Sequence, residues 1–425
     1  MASSCYDCVA PSRHALDDAV TLLLSSDLDN PDLLNQRVLY RVDLNVPIND
    51  GRVADDTRVR SILPTLQLLL QKGAKVVLCS HLGRPEPAVQ TAEELKQFSL
   101  APVAQLLVQQ LGQEVFKGLA TDCIGSAAEA AVRDLRPGQA CLLENLRFHP
   151  GEATSDPAFV QQLAALGDVY VNDAFGVAHR EQASVTGVLP HMAACYPGLL
   201  MQAELRYLHS TCNTPERPFG VVIGGAKVRD KIKVLEALIH KADVLLIGGR
   251  MAFTFLAAEG VAVGRTQIEE DWLEPCRAMR ELAAARGVKL LLPQDAVVAH
   301  SLDDDCCYGL DIGPQTAAAY TEAILACKTV FWNGPMGRFE VPGFAAGTAA
   351  VARAMGRATE AGSTTIVGGG DSVSAVNKLQ PQPAMSYLST GGGASLELIR
   401  GRLLPGIQAL AQALAAAATS LQQQR

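Results

Sequence analysis

The sequence predicts an α/β protein with two doubly wound parallel sheets. Nine short segments are continuously apolar rather than alternating, as expected of parallel strands that are covered on both faces. Segments with helical periodicity separate these runs, and this alternation is typical of βαβ units. The predicted strands are 37–46, 74–80, 139–146, 168–173, 219–225, 243–249, 289–293, 329–334 and 364–370.

Length and composition agree with this class. At about 100–200 residues per domain, 425 residues correspond to two or three domains. Apolar residues make up 48% of the chain and charged residues 19%, which supplies large cores and excludes disorder. The net charge of -8 argues against general binding to nucleic acid or to anionic membranes. No apolar run is long enough to predict a membrane-spanning helix.

The cysteines predict a reducing environment. There are 11 of them, an odd number scattered along the chain, and several lie inside apolar runs. Cys5 and Cys8 form a CxxC pair, but the sequence contains no second CxxC or HxxxH pair that would complete a metal site. We therefore interpret the pair as part of a flexible terminus. The first 30 residues resemble neither a secretory signal nor a transit peptide, so we expect a cytoplasmic protein.

The middle of the chain predicts a boundary between two domains. Residues 196–220 have the pattern of a long amphipathic helix followed by a polar link, which we interpret as an interdomain helix and hinge. Two Rossmann-like domains would then occupy 1–197 and 217–403, joined by 198–216. The C-terminal segment, 404–425, would pack back on the first domain. Other predicted helices are 60–73, 100–112, 228–242 and 406–425.

Basic side chains follow the predicted strands of the first half. In an open α/β sheet, ligands bind beyond the carboxyl ends of the strands. Any single arginine is more often part of a surface ion pair, but the recurrence at several strand ends predicts a site for a small, multiply charged anion. His149 and His209 lack this setting, and we interpret them as ordinary surface or packed residues. The strand-end residues are Arg41, Arg58, His81, Arg84, Arg147, His179 and Arg180.

Glycine-rich loops follow the strands of the second half. Glycine lets backbone N–H groups approach phosphate oxygens, and a helix N-terminus adds a favourable dipole. None of the loops is a Walker A motif or a complete GxGxxG, and a lone Gly-Gly pair is as often a simple turn. Lys227 and Asp371, beside two of these loops, favour a site for a nucleotide with Mg²⁺. The loops are 224–227, 248–249, 334–337 and 368–372.

The first half of the chain is predicted to bind a small anion and the second half a Mg-nucleotide. Together the two sites predict phosphoryl transfer between a metabolite and a nucleotide. Closure of a two-domain cleft about the hinge would align the reactants and exclude water.

The motifs resemble those of the phosphoglycerate kinase family. They occur in the family's order between about residues 37 and 406. The resemblance implies reversible phosphoryl transfer between 1,3-bisphosphoglycerate and MgADP, giving 3-phosphoglycerate and MgATP, in glycolysis, gluconeogenesis or the Calvin cycle. It also implies a monomer. The matching segments are RVDLNVP (41–47), DDTR (55–58), SHLGRP (80–85), LLENLRF (142–148), YVNDAFGVAHR (170–180), GGAKVRDKI (224–232), NGPMGRFE (333–340), GGGDS (368–372) and STGGGASLEL (389–398).

The resemblance also implies a role for individual residues. Arg58, Lys227, Gly369 and Gly370 would be catalytic, and Asp371 would ligate Mg²⁺. Glu340 would bond the ribose hydroxyls. The residues around 3-phosphoglycerate would be Asp43, Asn45, Arg58, His81, Arg84, Arg147, His179 and Arg180. Those around the nucleotide would be Gly225, Ala226, Lys227, Lys231, Gly249, Gly313, Asn333, Glu340, Gly369, Gly370, Asp371 and Ser372.

Some positions depart from the family pattern. Arg250 and Arg338 stand where the family usually has small residues, close to the expected adenosine pocket, and either could alter nucleotide affinity or choice. About 20 N-terminal residues precede the usual family start, which leaves an organellar location open.

Two other interpretations remain. A non-catalytic family member would be expected to lack Arg58, Lys227 or Asp371, and all three are present. A Rossmann dehydrogenase is disfavoured by the missing GxGxxG and by the many strand-end arginines.

Overall fold

The computed structural model describes residues 13–29, 31–301, 304–379 and 384–423. Two compact units divide the chain. Unit 1 comprises Met1–Leu205 and Arg402–Arg425, and unit 2 comprises Arg206–Gly401. The CxxC pair at Cys5 and Cys8 lies outside the described residues.

Unit 1 contains a six-stranded parallel sheet in the order β5-β6-β4-β1-β7-β8. Its central strands are buried because their side chains are apolar on both faces. A short hairpin, β2-β3, stands apart from this sheet. The strands are β1 (Arg37–Arg41), β2 (Ile48–Asn49), β3 (Arg52–Val53), β4 (Lys75–Cys79), β5 (Phe116–Leu119), β6 (Ala140–Leu142), β7 (Val169–Asn172) and β8 (Ala194–Pro197).

The helices of unit 1 include one from each end of the chain. They are α1 (Arg13–Ser25), α2 (Thr57–Gln71), α3 (Ala92–Lys96), α4 (Ala101–Leu111), α5 (Gly125–Arg133), α6 (Pro150–Thr154), α7 (Pro157–Ala164), α8 (Leu199–Glu204) and α16 (Pro405–Gln423). Helix α16 packs against β8 and α1, and the Gly406 N–H donates to the Ala178 carbonyl at 2.8 Å.

Unit 2 repeats the architecture with a parallel sheet in the order β11-β10-β9-β14-β15-β16 and a separate hairpin, β12-β13. The strands are β9 (Phe219–Ile223), β10 (Val244–Ile247), β11 (Lys289–Leu291), β12 (Ala296–Ser301), β13 (Asp304–Ile312), β14 (Thr329–Asn333), β15 (Thr364–Gly368) and β16 (Tyr387–Leu388). The helices are α9 (Ile232–Ile239), α10 (Met251–Ala258), α11 (Leu273–Ala285), α12 (Pro314–Leu325), α13 (Ala346–Glu360), α14 (Gly370–Leu379) and α15 (Gly393–Ile399).

The predicted fold class of two parallel-sheet α/β domains is confirmed, and each of the nine predicted strands is present. The edge strands β5, β8 and β16 and both hairpins were missed. These three edge strands are only partly buried, and they lack the continuous apolar run that marks the predicted strands. Strand β5 contains the exposed Lys117, and β8 ends in Pro197.

The long helix predicted within residues 196–220 is present, but it begins at Leu199. Residues 194–197 form β8, and α8 begins only after Gly198. The helix then widens into π-helical turns at Leu205–Thr211. Proline cannot donate to a helix and forces the chain out of it, which is why the helical pattern stops before Pro215 and Pro218.

Residues 13–25 form α1, which is not among the predicted helices. Leu16, Val20 and Leu23 are buried at helical spacing, and α1 packs against α16. The cysteines whose side chains are described are free thiols, and all except the half-buried Cys307 are buried. None of the described helices has the length and apolarity to cross a membrane.

Candidate active site

The carboxyl ends of four neighbouring strands of unit 1 carry the predicted anion-binding residues. Because the strands are parallel, their carboxyl ends share one edge of the sheet. Asp43 follows β1 and His81 follows β4. Arg147 lies in the turn after β6, and Arg180 follows β7.

Asp43 is the centre of a first group of charges at this edge. Its carboxylate forms an ion pair with Arg58 and accepts the Asn45 N–H at 3.2 Å, and His81 Nε2 lies 3.9 Å away. Burial by itself would raise the pKa of Asp43, but the Arg58 guanidinium and the Asn45 N–H outweigh it and lower the pKa to about 2. Burial lowers the pKa of His81, which keeps its imidazole neutral.

Local structure directs Arg58 towards Asp43. Helix α2 begins at Thr57, whose N–H is accepted by the Asp55 carboxylate at 2.8 Å. Arg58 therefore lies in the first turn of a helix whose apolar face, including Val59 and Ile62, is buried in the core. A side chain in this turn reaches back over the N-terminus of its helix.

Hydrogen bonds join the loop after β4 to the loops after β1 and β6. Asn45 Oδ1 accepts the Gly83 N–H at 2.8 Å, and Arg147 donates to the Gly83 carbonyl at 2.5 Å. The buried Asn145 side chain donates to the carbonyls of Leu82 and Phe98. These bonds hold the 81–84 turn, and with it Arg84, in a defined position.

Three arginines line one pocket of about 480 Å³. Arg84 is exposed, whereas Arg147 and Arg180 are half-buried. Burial and the positive charge of Arg180 lower the pKa of Arg147 to about 10. Positive charge crowded into a partly desolvated cavity favours an anionic ligand. The pocket is lined by Arg84, Pro85, Glu86, Pro87, Ala88, Arg147, His149, Pro150, Ala153, Arg180 and Gln182.

His149 and Gln182 also line this pocket, and neither is among the predicted site residues. The interpretation of His149 as an ordinary residue misses its place in the pocket wall. The sequence did hold a signal, since His149 comes two residues after Arg147. His179 lies beside the pocket, where Arg180 Nε is 3.4 Å from His179 Nε2.

Arg41 differs from the other strand-end cations because it is fully buried within β1. Its guanidinium donates to Ser184 Oγ at 2.8 Å and to the Val42 carbonyl, and lies 3.3 Å from His81 Nδ1. It therefore supports the site from inside the sheet.

In unit 2, the glycine-rich loops lie against one another at the carboxyl edge of the sheet. The Gly224 N–H donates to the Asn333 carbonyl at 2.9 Å, and the Gly249 N–H donates to the Met336 carbonyl at 2.9 Å. Gly249 and Gly334 have positive φ, and a Cβ on either would collide with backbone atoms of Gly225 or Gly224. Only glycine permits such close contact between the loops, so the surface at this edge of the sheet is formed by backbone atoms.

Polar side chains complete the loop cluster. The Lys231 ammonium donates to the buried Asn333 Oδ1, and Asn333 Nδ2 donates to the Gly368 carbonyl at 2.7 Å. Burial lowers the pKa of Lys231 although the Asp371 carboxylate opposes the shift. Ser372 Oγ accepts the Gly334 N–H at 2.6 Å. Lys227 is half-exposed.

Helix α14 begins at Gly370, directly after β15 and Gly369. Asp371 is exposed in its first turn. The free N–H groups of that turn and an exposed carboxylate therefore lie side by side.

A second cavity of about 310 Å³ lies beside α10 and the β12-β13 hairpin. Its walls include Phe253, Leu256, Val261, Val263 and Gly309. These residues come from separate segments of the chain, so no single local motif marks the cavity.

Two predicted nucleotide residues have different surroundings. Gly313 precedes α12, and a Cβ there would collide with the Asp295 carboxylate, which lines the 310 Å³ cavity. Glu340 is exposed, and its carbonyl accepts Lys378 Nζ at 3.4 Å.

The two unusual arginines also differ. Arg250 donates to the Ala226 carbonyl at 3.3 Å and to Gln267 Oε1 at 2.9 Å, so it joins the loops on either side of it. Arg338 has an exposed side chain.

Known proteins resemble this chain over nearly its full length. A profile of the family described as "Phosphoglycerate kinase" matches residues 28–402. A phosphoglycerate kinase from Synechococcus sp. (strain JA-3-3Ab) is 50% identical over 411 residues, covering 92% of this chain and 98% of the relative. One from Moorella thermoacetica is 50% identical over 398 residues, covering 91% of this chain and 98% of the relative.

Solved structures agree. Phosphoglycerate kinase from Coxiella burnetii superposes with a TM-score of 0.77 at 39% identity, covering 91% of this chain and 98% of that one. The enzyme from Pyrococcus horikoshii OT3 gives 0.78 at 30% identity, covering 92% and 99%. These matches confirm the resemblance of the motifs, and the chain belongs to the phosphoglycerate kinase family.

Proposed function

We propose that unit 1 binds 3-phosphoglycerate at the carboxyl edge of its sheet and that unit 2 binds MgATP at the glycine-rich edge of its own. As a phosphoglycerate kinase, the chain transfers a phosphoryl group reversibly between 1,3-bisphosphoglycerate and ADP, a step of glycolysis and the Calvin cycle.

The pocket with three arginines is the observation that carries the assignment in unit 1. Arg84, Arg147 and Arg180 would bind the phosphate of 3-phosphoglycerate, because guanidinium groups match phosphate oxygens bidentately. The lowered pKa of Arg147 supports this role, since a bound dianion would relieve the crowding of positive charge.

Asp43, Asn45, Arg58, His81 and His179 would surround the other end of the substrate. The Asp43 carboxylate stays ionised and can accept the substrate hydroxyl, while the neutral His81 can donate one N–H. Arg58 is held beside them by its ion pair with Asp43 and would contact the carboxyl group and the transferring phosphoryl group.

The loops of unit 2 would bind the nucleotide phosphates. Backbone N–H groups of Gly225, Ala226, Gly369 and Gly370 and the N-terminus of α14 favour phosphate oxygens. Lys227 and Lys231 would supply positive charge, with Lys231 oriented by Asn333. Gly249 and Ser372 would keep the loops together.

The 310 Å³ cavity is a candidate pocket for the nucleotide base. Its volume is at the lower end of ligand pockets, about 300–1,000 Å³, and Phe253 and Leu256 provide apolar walls. The Gly313 N–H donates to the Asp295 carbonyl at 2.9 Å and would keep Asp295 at the rim. Glu340 would bond the ribose hydroxyls.

Asp371 would hold Mg²⁺ together with the nucleotide phosphates. An exposed carboxylate is the hard oxygen ligand that Mg²⁺ prefers, and Mg²⁺ needs only one or two carboxylates beside phosphate oxygens. When bound, the ion would neutralise charge on the phosphates.

Catalysis would consist of positioning and charge neutralisation, because phosphoryl transfer needs no covalent enzyme intermediate. Arg58 of unit 1 would neutralise negative charge on the transferring phosphoryl group. Lys227 and the amides of Gly369 and Gly370, all in unit 2, would do the same. The domain closure expected from the sequence stays a prediction.

A coupled assay tests the proposal. Purified protein is mixed with 3-phosphoglycerate and MgATP, and acyl-phosphate formation is followed, with parallel reactions that contain GTP or EDTA. We expect turnover that EDTA abolishes. Turnover that persists in EDTA would contradict the metal assignment. A variant with glutamine at positions 84, 147 and 180 lacks three positive charges, and we expect it to have a higher KM for 3-phosphoglycerate. An unchanged KM in this variant would contradict the assignment of the pocket.

A further inference from the structure

Three side chains with metal-ligating atoms converge in unit 1, and none of them is assigned to the reaction. Asp122, Cys123 and His149 each offer one donor atom, and these atoms all lie within 4.8 Å of one another. Among the residues that the structure describes, no other group of three or more His, Cys, Asp or Glu side chains is this close.

The group lies where an α/β sheet usually binds ligands. Asp122 and Cys123 are in the turn between β5 and α5, and His149 follows the turn after β6. Strands β5 and β6 are parallel neighbours, with Leu119 opposite Leu142. Their following loops therefore meet at the carboxyl edge of the sheet.

Contacts within the protein bring the His149 and Asp122 side chains and the Cys123 backbone together. His149 Nε2 lies 2.7 Å from Asp122 Oδ1, and the same oxygen accepts the Cys123 N–H at 2.6 Å. The His149 ring packs against Phe159 with a centroid distance of 5.6 Å. These contacts keep the three donor atoms close to one another in the protein without a bound ion.

The site has both a buried and an accessible side. Cys123 is fully buried, whereas the side chains of His149 and Asp122 are 31% and 43% exposed. His149 also forms part of the wall of the arginine pocket, which is open to solvent-borne ligands. An ion can therefore reach the group without unfolding of the unit.

The donor set selects the class of ion. A thiolate and an imidazole suit Zn²⁺ and similar transition metals, whereas Mg²⁺ and Ca²⁺ prefer oxygen ligands only. We propose that Asp122, Cys123 and His149 form a three-ligand site for a divalent ion of the zinc class, with a remaining position for water or an anion.

The ligand distances are compatible with this proposal. Zinc lies about 2.0–2.3 Å from its ligands, so ligand atoms in a tetrahedron are on the order of 3–4 Å apart. Small side-chain rotations would bring the three atoms from their present spread to that geometry. Binding would break the His149–Asp122 hydrogen bond and release the Cys123 thiol proton to solvent, since the thiolate is the ligand.

Cobalt spectroscopy tests the site without relying on activity. The full chain, carrying Cys5→Ser and Cys8→Ser to remove the CxxC pair, is stripped with a chelator and titrated with Co²⁺. We expect thiolate-to-cobalt charge transfer and tetrahedral ligand-field bands that saturate at about one equivalent and disappear on addition of Zn²⁺.

Variants identify the ligands. Cys123→Ala should abolish the charge-transfer band. His149→Gln should weaken Co²⁺ binding at least tenfold, because a loss of about tenfold in metal affinity is typical even when a residue that only hydrogen-bonds to a ligand is replaced. Cys141→Ala, at a buried cysteine of β6 outside the group, is the matched control and should keep the band.

Three results would overturn the proposal: a folded parent protein without the band, a band that survives Cys123→Ala, or equal loss in Cys141→Ala. If Cys123→Ala does not fold, Asp122→Asn with His149→Gln decides the question, because an unchanged Co²⁺ affinity in that double variant excludes the site. The proposal does not depend on the assignment of the substrate residues.

Discussion

At the residue scale, the ion pair between Arg58 and Asp43 is the most informative contact in unit 1. It aligns a cation at the sheet edge and keeps the carboxylate ionised. We expect Arg58→Ala to lower kcat by about 10²–10³-fold, by comparison with the loss of one oxyanion donor. Steady-state kinetics in the coupled assay measures this.

Arg60→Ala provides the matched control for Arg58. Arg60 lies on the same helix but is exposed and pairs with Asp56 at 2.9 Å. Its removal should leave kcat unchanged and cost little stability. Equal effects of the two substitutions would show that helix α2, rather than the Arg58 guanidinium, is responsible.

Asp311 should make stability depend on pH. Burial raises its pKa from 3.8 to about 6, although the N–H groups of Gly347 and Ile312 partly oppose this. The fold therefore favours the protonated acid, and the contribution of Asp311 to the free energy of unfolding decreases as pH rises from 3.8 to about 6. With allowance for screening, the change is on the order of 2 kcal/mol.

Urea titrations at a series of pH values from 3.8 to above 6 measure this contribution. Asp311→Asn should remove that part of the pH dependence, because the amide does not titrate. A variant whose unfolding free energy changes with pH as steeply as that of the parent would refute the assignment.

At the element scale, α1 supplies core to unit 1 through its contact with α16. Leu23 is fully buried in this helix, whereas Thr21 is exposed. Leu23→Ala should reduce the free energy of unfolding by about 2–5 kcal/mol because it leaves a cavity. Thr21→Ala should change it by no more than about 0.5 kcal/mol. Urea unfolding of both variants decides whether the N-terminal helix is integral to the fold.

The loops after β9 and β10 are joined by Arg250. Its hydrogen bonds to Ala226 and Gln267 restrain the segment that leads to Lys227. Two net hydrogen bonds of about 0.5–1.5 kcal/mol each contribute about 1–3 kcal/mol, so we expect Arg250→Ala to raise KM for MgATP by at least about fivefold. KM for 3-phosphoglycerate should stay constant.

Arg338→Ala is the control for Arg250, because it removes an exposed arginine from a neighbouring loop. We expect parental kinetics from this variant. An Arg250→Ala enzyme with unchanged KM for MgATP would mean that these two hydrogen bonds do not position the nucleotide loop.

At the scale of the whole molecule, each unit should respond to its own ligand. A ligand that binds only the folded state stabilises it by about 2.7 kcal/mol at 100 times its Kd. In hydrogen exchange, 3-phosphoglycerate alone should slow amides near residues 81–84, 145–149 and 179–182. MgATP alone should slow amides near 224–231 and 368–373. Protection of the same segments by both ligands would contradict the division of binding between the units.

The sequence predicts the central strands of both sheets better than most of the edge strands. Central parallel strands such as β1 and β14 are buried on both faces, so most of their consecutive residues are apolar and the strand can be recognised from the sequence. Edge strands such as β8 meet solvent, and their pairing depends on neighbours that are distant in the chain. The spacing of Leu16, Val20 and Leu23 is a local signal for helix α1, although this helix is not among the predicted elements.

The candidate site divides in the same way. Arg84, Arg147 and Arg180 were selected from strand-end position and motif, and the structure brings them into one pocket. The same position misled for Arg41, whose guanidinium is buried against Ser184. Whether a strand-end side chain faces the edge or the interior depends on what packs over it, and that information comes from other segments.

By itself, the sequence determined the fold class, the family and the chemistry, because periodicity, strand-end charges and long motifs are local patterns. Only the tertiary structure decided which of these residues share a cavity, that α1 joins the core, and that Asp122, Cys123 and His149 converge. Residues 26 positions apart become neighbours through the pairing of β5 with β6, since parallel strands carry their following loops to one edge.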